Sequence, residues 1–374
     1  MMETEYDMLY LASCALNGGS IDIERIKNTD LQQLLKVCKF HSLTVIVAYA
    51  LESAGIKDEN FQKEKSLAIR NIMFLDTGRK QICQFLEENK IWYMPLKGVY
   101  LKEYYPKIGM RQMCDNDILI EESAIKTVNR WMIERGYEVP KNSEHEKNHD
   151  YEYLKNPCYN YEIHFSLFTK ISGQPRYEYY KYIKTKLIKD ADNNYGYHFT
   201  LEDFYIYMVA HEFGHFSSGG TGLRSLIDTY VYLKKFSDSM DGKYINEECK
   251  KLEIDDFEKK NRELALKVFS STKLPEFNDD EREMLGYYLG SGTYGTIANL
   301  TAQKMKKFKD ETGSTSKFRY LFHRIFPPMD TYRLWFPFFY KHKIFLPIGW
   351  AYRLCRGIFC KHSMIKSEIK VINQ

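Results

Sequence analysis

Nowhere in this sequence does an apolar run reach the roughly 18 residues that a membrane-spanning helix needs, so none is expected. The closest approach, FLPIGWAYRLCRGIFC near the C-terminus, is interrupted by Arg353 and Arg356. The first residues, MMETEYDMLYLASCALNGGS, carry acids early and no basic leader, which argues against a secretory signal. Eight cysteines lie at 14, 38, 83, 114, 158, 249, 355 and 360, with no C-x-x-C pair and no zinc-finger spacing. Cys14 and Cys38 fall in apolar helical contexts and read as buried thiols, which suits a reducing cytoplasm. Internal repeats and low-complexity tracts are absent. The net charge of +4 is too small to imply nucleic-acid binding by itself.

What is present points to a globular chain with a core: 44% hydrophobic and 28% charged residues, with 30 Tyr and 23 Phe. A length of 374 residues exceeds one ordinary domain. Residues 1–88 read as helical. Asp30 caps a helix whose apolar stripe runs from Leu31 to Val45 and ends at Gly55, and a long helix follows from about Asn60 to Asn89. Residues 89–198 change character. IWYMPL is a strand, VYLKEYYP a turn or two of helix, and DNDILI a strand. Ser123 then caps a helix closed by Gly136, and YEVP, YEYLK and YNYEIHFSLF follow as strands. Residues 199–312 are helical again, with Thr200 capping LEDFYIYMVAHEFGHF. Residues 313–374 form a basic, aromatic region.

Asp115 and Asp117 are two apart on the DNDILI strand, so both carboxylates leave one face, about 6–7 Å apart at Cα. Two adjacent acids repel unless a cation sits between them, and hard oxygen ligands suit Mg²⁺, or Mn²⁺. In YNYEIHFSLF, Glu162 and His164 share the face opposite Tyr161 and Ile163. If this strand lies beside the Asp strand, Glu162 completes a three-carboxylate cluster able to hold two metal ions for in-line attack on phosphorus. Lys97-Gly98 stands at a strand-to-helix junction where backbone amides face an anion, and Lys97 and Arg111 add positive charge for a triphosphate.

His211-Glu212-Phe213-Gly214-His215 matches H-E-x-x-H, which on a helix puts two histidines on one face for zinc with Glu212 as base. The third ligand on offer is Glu247. The competing readings give His211 and His215 a substrate-facing role or a hydrogen-bonded place at the end of a core stripe. Arg224 and Asp228 stand at i, i+4 and read as a surface helix pair, with Arg224, like His164, also a candidate to face substrate. Residues 317–366 hold ten basic residues against Asp330 alone. They could touch a polyanion or a membrane surface. The favoured alternative is that their aromatics pack on the helical domain, because Pro337 and Pro347 break any long amphipathic helix.

Taken in order, Leu96-Lys97-Gly98, Tyr104-Tyr105-Pro106, Arg111, Asp115-Asn116-Asp117-Ile118, Glu162-Ile163-His164, His211 and Arg224 to Asp228 resemble a bacterial branch of the DNA polymerase beta-like nucleotidyltransferase superfamily, the uncharacterised nucleotidyltransferase family. The resemblance covers roughly 90–235. It implies an α+β fold, a small mixed sheet flanked by N- and C-terminal helical regions. It also implies metal at Asp115, Asp117 and Glu162 and a phosphate contact at Gly98. The activity expected is transfer of NMP from an NTP to a hydroxyl or phosphate of a small molecule, sugar, RNA or protein. A nucleotide-binding module without turnover and a zinc metallopeptidase are the alternatives. The broader superfamily follows the glycine with Ser or Gly, whereas Val99 follows Gly98 here.

Overall fold

Five helices open the chain: α1 (Glu3–Asn17), α2 (Ile23–Ile26), α3 (Leu31–His41), α4 (Thr44–Ser53) and α5 (Glu59–Glu88). Asp30 and Asp58 cap α3 and α5 through carboxylate oxygens that accept two backbone N–H groups each. The single helix expected from Leu31 to Gly55 is two. Ser42 takes a left-handed conformation, φ 56°, and its N–H closes α3 on the Cys38 and Lys39 carbonyls before α4 restarts. The computed structural model describes residues 3–140, 149–169, 174–273, 275–293, 295–329, 332, 336–360 and 362–373.

Strand β1 (Tyr93–Pro95) leads through α6 (Gly98–Leu101) and a 3₁₀ turn to β2 (Asn116–Ile120). Helix α7 (Ile125–Glu134) then leads to β3 (Asp150–Tyr153) and β4 (Tyr161–His164). The four strands form a mixed sheet in the order β1-β2-β4-β3. The β2–β4 pair is parallel, and β1–β2 and β3–β4 are antiparallel. YEVP contributes only a bridge, Glu138 to Leu154. Ser123 does not cap α7: its hydroxyl donates to Glu121, and a 3₁₀ turn at Glu122–Ala124 starts the helix. Gly136 does close it, at φ 75°.

One face of the sheet is covered. Ile118, Ile120, Tyr161 and Ile163 pack with Ile82 and Leu86 of α5 and Val128, Trp131 and Met132 of α7. Asn116 joins that face, its amide donating to the Leu75 carbonyl of α5 at 2.9 Å. Gly78 of α5 makes room for Tyr161, since a Cβ there would stand 2.5 Å from the phenol oxygen. The alternation of β2 and β4 therefore fixes which side chains emerge on the other face.

After α8 (Gln174–Tyr180) and a two-stranded ribbon (β5, Ile188–Lys189; β6, Tyr197–His198), helices return as α9 (Leu201–Phe216), α10 (Leu223–Phe236), α11 (Gly242–Lys251) and α12 (Asp255–Phe269). Thr200 does cap α9, its hydroxyl accepting from Asp203 N–H at 3.0 Å. The fold is α+β, with helical regions at both ends of the small sheet. Among the described residues no helix is long and apolar enough to cross a membrane.

The chain divides into two units, Met1–Gly214 with Gly222–Leu289, and His215–Thr221 with Gly290–Gln374. In the second, the helices Ile297–Thr312 and His362–Asn373 pack together, with Phe308, Tyr320 and Ile372 at the centre. Pro337 and Pro347 break no helix. They stand in the first turns of the helices Pro337–Lys341 and Leu346–Cys360, where a missing N–H costs nothing. Asp330, Arg333 and Lys361 of the basic tract lie outside the described residues, as does the side chain of Arg356.

Candidate active site

The parallel register sets Asp117 opposite Glu162 and Leu119 opposite His164. Because the neighbours of Asp117 and Glu162 along each strand are committed to the α5–α7 core, Asp117, Glu162 and His164 emerge together on the opposite face. His164 Nε2 lies 3.3 Å from Asp117 Oδ1 and 3.7 Å from Glu162 Oε2. One ligand atom from each of the three falls within 4.8 Å of the others. Asp115 stands one residue before β2, close enough that the charge of Asp117 opposes its ionisation. A second such group, His149, Asp150 and His164, was not foreseen. It arises because β3 pairs Asp150 with His164, a register that the sequence around His149 does not announce.

Burial opposes ionisation of all three carboxylates, and repulsion from Asp117 adds to it at Asp115 and Glu162. Burial and Asp117 raise Asp115 to about 6. Burial, Asp117 and Asp115 raise Glu162 to about 8. Asp117 goes the other way: burial works against its charge, but the His164 hydrogen bond and the Lys97 charge outweigh it and hold it below the usual carboxylate range. Lys97 is lowered by burial, although Asp117 and Glu162 pull it back up. The site is thus three acids facing a half-buried lysine.

Lys97 enters with a strained backbone, φ 24° and ψ −82°, at the N-terminal end of the four-residue α6. Its Nζ lies 2.7 Å from His211 Nε2. An ammonium at that distance donates to an unprotonated ring nitrogen, so His211 is neutral whenever Lys97 is charged. Gly98 is required for a neighbour: a Cβ there would meet Arg111 Nη1 at 2.8 Å and Met113 Cε at 3.1 Å.

Arg111 is held rigidly. Its Nε and Nη2 donate to the two oxygens of Asp228 at 2.9 and 3.0 Å, and Tyr105 OH donates to the same carboxylate at 2.7 Å, all buried. The surface pair expected between Arg224 and Asp228 is corrected here. Asp228 belongs to Arg111, and Arg224 donates to the Gln112 carbonyl at 3.3 Å. The signal was available: Asp228 sits in the apolar run Leu226-Ile227-Asp228-Thr229-Tyr230-Val231, where a carboxylate needs a buried partner. Arg224 also lies close enough to favour the Asp115 charge.

The HEFGH helix divides its residues. His211 reaches Lys97. Glu212 turns into the helical core, where its carboxylate accepts from Tyr288 OH at 2.7 Å, Asn261 Nδ2 at 2.9 Å and Thr229 OH at 3.3 Å. Burial raises it to about 7. His215 falls in the second unit. Glu247, the third ligand the zinc reading needed, stands beside Lys243 on α11. Among the described residues no three-ligand group includes His211, His215 or Glu247. The zinc-peptidase reading loses both its base and its ligand set.

Residues 27–270 match the sequence model of a family described as uncharacterised nucleotidyltransferase. No curated protein and no solved structure matches the chain. The matched span includes the whole sheet, Lys97, Gly98, Arg111, the carboxylates, and helices α9 to α12. With well over half of its length matched, the chain belongs to the uncharacterised nucleotidyltransferase family and is an enzyme of the transferase class.

Proposed function

We propose that the protein transfers NMP from an NTP to a hydroxyl or phosphate acceptor, on a DNA polymerase beta-like core, with Mg²⁺ or Mn²⁺. One observation carries this reading: Asp117 and Glu162 face each other across a parallel strand pair, with His164 within ligand distance of both, and the Asp115 charge acts on the same cluster. The donor set suits such an ion. Carboxylate oxygens prefer hard divalent cations, and the imidazole nitrogen of His164 makes Mn²⁺ a good match as well. The raised Glu162 and Asp115 describe a cluster that repels itself and that a cation would relieve.

Asp115, Asp117 and Glu162 would hold the ion, which when bound neutralises charge on the phosphates and favours ionisation of the attacking hydroxyl. The chain's own groups supply the remainder. Arg111, fixed by Asp228, presents Nη1 beside Gly98, and Lys97 presents its amine, and both bind triphosphate oxygens. His211 positions Lys97. His164 orients Asp117. Glu162, which the bound cation would keep ionised, accepts the proton of the attacking hydroxyl. The acceptor oxygen bonds to the α-phosphorus as the bond to the bridging oxygen of the β-phosphate breaks, and pyrophosphate leaves. Arg224 faces the same acids and is assigned to substrate. Cys14, Cys38, Cys158 and Cys249, free and buried, suit a cytoplasmic setting, and from the sequence resemblance to a bacterial family branch we infer a bacterial source.

The test is isothermal titration of the metal-stripped protein with each NTP, with and without Mg²⁺, beside Asp115→Asn/Asp117→Asn. Mg²⁺-dependent binding of an NTP that the double variant loses is expected. Absence of binding to every NTP would overturn the reading.

A further inference from the structure

Exposed apolar side chains concentrate in the second unit. The 3₁₀ turn Lys343–Phe345 and the helix after it show Ile344 at 84%, Ile348 at 60%, Tyr352 at 50% and Phe359 at 82% exposure. On Leu346–Cys360, residues 348, 352, 355 and 359 recur at four, three and four, which is one helical face. All four are exposed. The opposite face is already used. Gly349 lies against the Phe339 ring, Trp350 meets Phe326 edge-on at 5.1 Å, and Arg353 covers Tyr332 and Phe336. A helix apolar on its packed face and apolar again on its free face leaves a contiguous surface that water alone does not explain.

Charge identifies the occupant. Residues 317–366 hold ten basic residues and one acid, whereas the rest of the chain holds 44 basic and 49 acidic residues. Lys341 and Lys343 are exposed beside Phe338, Ile344 and Phe345, and Lys317 and Arg319 flank exposed Phe318 and Phe322. Among the described residues from 317 on, Glu368 is the only acid, and Arg324 neutralises it through two bonds of 2.8 and 3.0 Å. The surface is therefore basic and apolar at once. Phosphates alone would call for the lysines but not for Ile344, Ile348 and Phe359.

We propose that the face built from Ile344, Ile348, Tyr352 and Phe359 with Lys341 and Lys343 docks on an anionic phospholipid bilayer. The helix is about 22 Å long at 1.5 Å per residue, which is short of the roughly 30 Å hydrocarbon core, so it lies in the interface. Ile and Phe enter the acyl boundary while the lysines stay at the headgroups. This places a transferase at a membrane surface and is independent of which acceptor it uses.

The test is co-sedimentation of the full chain with phosphatidylglycerol–phosphatidylcholine vesicles, with phosphatidylcholine vesicles, and with a duplex RNA in place of lipid. Binding to the anionic vesicles is expected to exceed binding to the neutral ones by about tenfold or more and to weaken with salt. Ile344→Glu/Ile348→Glu/Phe359→Glu changes only exposed positions and is expected to lower it by at least about tenfold. Lys341→Ala/Lys343→Ala is expected to lower it on anionic vesicles alone. Equal sedimentation of the Glu variant and the parent, no preference for anionic vesicles, or retention by RNA without retention by vesicles would each overturn the proposal.

Discussion

Replacing Asp228 by Ala tests the least visible part of the site. The substitution removes both acceptors of the Arg111 guanidinium and the acceptor of Tyr105 OH, at 2.9, 3.0 and 2.7 Å, in a buried setting. A buried ion pair contributes little against an apolar pair of the same volume, but breaking one partner strands the other charge at about 3–5 kcal/mol. With m near 3 kcal/mol/M in urea, the unfolding midpoint of the unit that holds the site should fall by on the order of 1 M. Arg111→Met should cost less than Asp228→Ala, because Asp228 keeps Tyr105. Arg111→Met/Asp228→Leu should recover much of the loss, since no buried charge remains. NTP affinity should not recover in that double variant, because Arg111 Nη1 is gone. Urea denaturation and nucleotide titration on the four proteins are the assays. A loss below about 1 kcal/mol for Asp228→Ala, or a double variant no more stable than Asp228→Ala, would refute this account.

The metal-stripped protein should lose thermal stability as pH rises from about 4.5 to 8. Glu162 holds its proton up to about 8 in the folded chain, so above its ordinary pKa the folded state binds more protons than the unfolded one, and stability falls with pH. Glu162→Gln should lessen that slope, leaving the parts due to Asp115 and Glu212, and Mg²⁺ should raise Tm more at pH 8 than at pH 6, as melting curves with and without chelator will show. Glu212→Gln should leave activity intact and cost about 1 kcal/mol or less, because an amide preserves most of the bonds to Tyr288, Asn261 and Thr229; a protease base could not tolerate it. Gly98→Ala should lower both NTP affinity and Tm, since its Cβ would push on the Arg111 guanidinium that Asp228 holds and on the buried Met113 side chain.

The acidic face was legible because strand alternation carries two kinds of information at once. Ile118 and Ile163 had to face a core, which assigned Asp117 and Glu162 to the other side before any contact was known. The one assumption was that the two strands are neighbours, and the parallel pair met it. Helix spacing was less informative. Arg224 and Asp228 are one turn apart and read as partners, yet each turns to the 105–112 segment instead, which lies more than a hundred residues away in sequence. The H-E-x-x-H pattern misled for a related reason: a helix one residue on has rotated by about 100°, so His211 and Glu212 serve different surroundings. His149 was missed because only the β3–β4 register brings it to His164. The prolines at 337 and 347 were read as breaks, but at the first turn of a helix they are starts.

The central claim is nucleotidyl transfer at Asp115, Asp117 and Glu162. Its most direct test is to incubate the protein and Asp117→Asn with γ-³²P-labelled NTPs, Mg²⁺ or Mn²⁺ and a pool of candidate acceptors, and to separate the labelled products. Labelled pyrophosphate that requires the metal and disappears with Asp117→Asn is the predicted result. Labelled orthophosphate in its place, or pyrophosphate release undiminished in Asp117→Asn, would contradict the account.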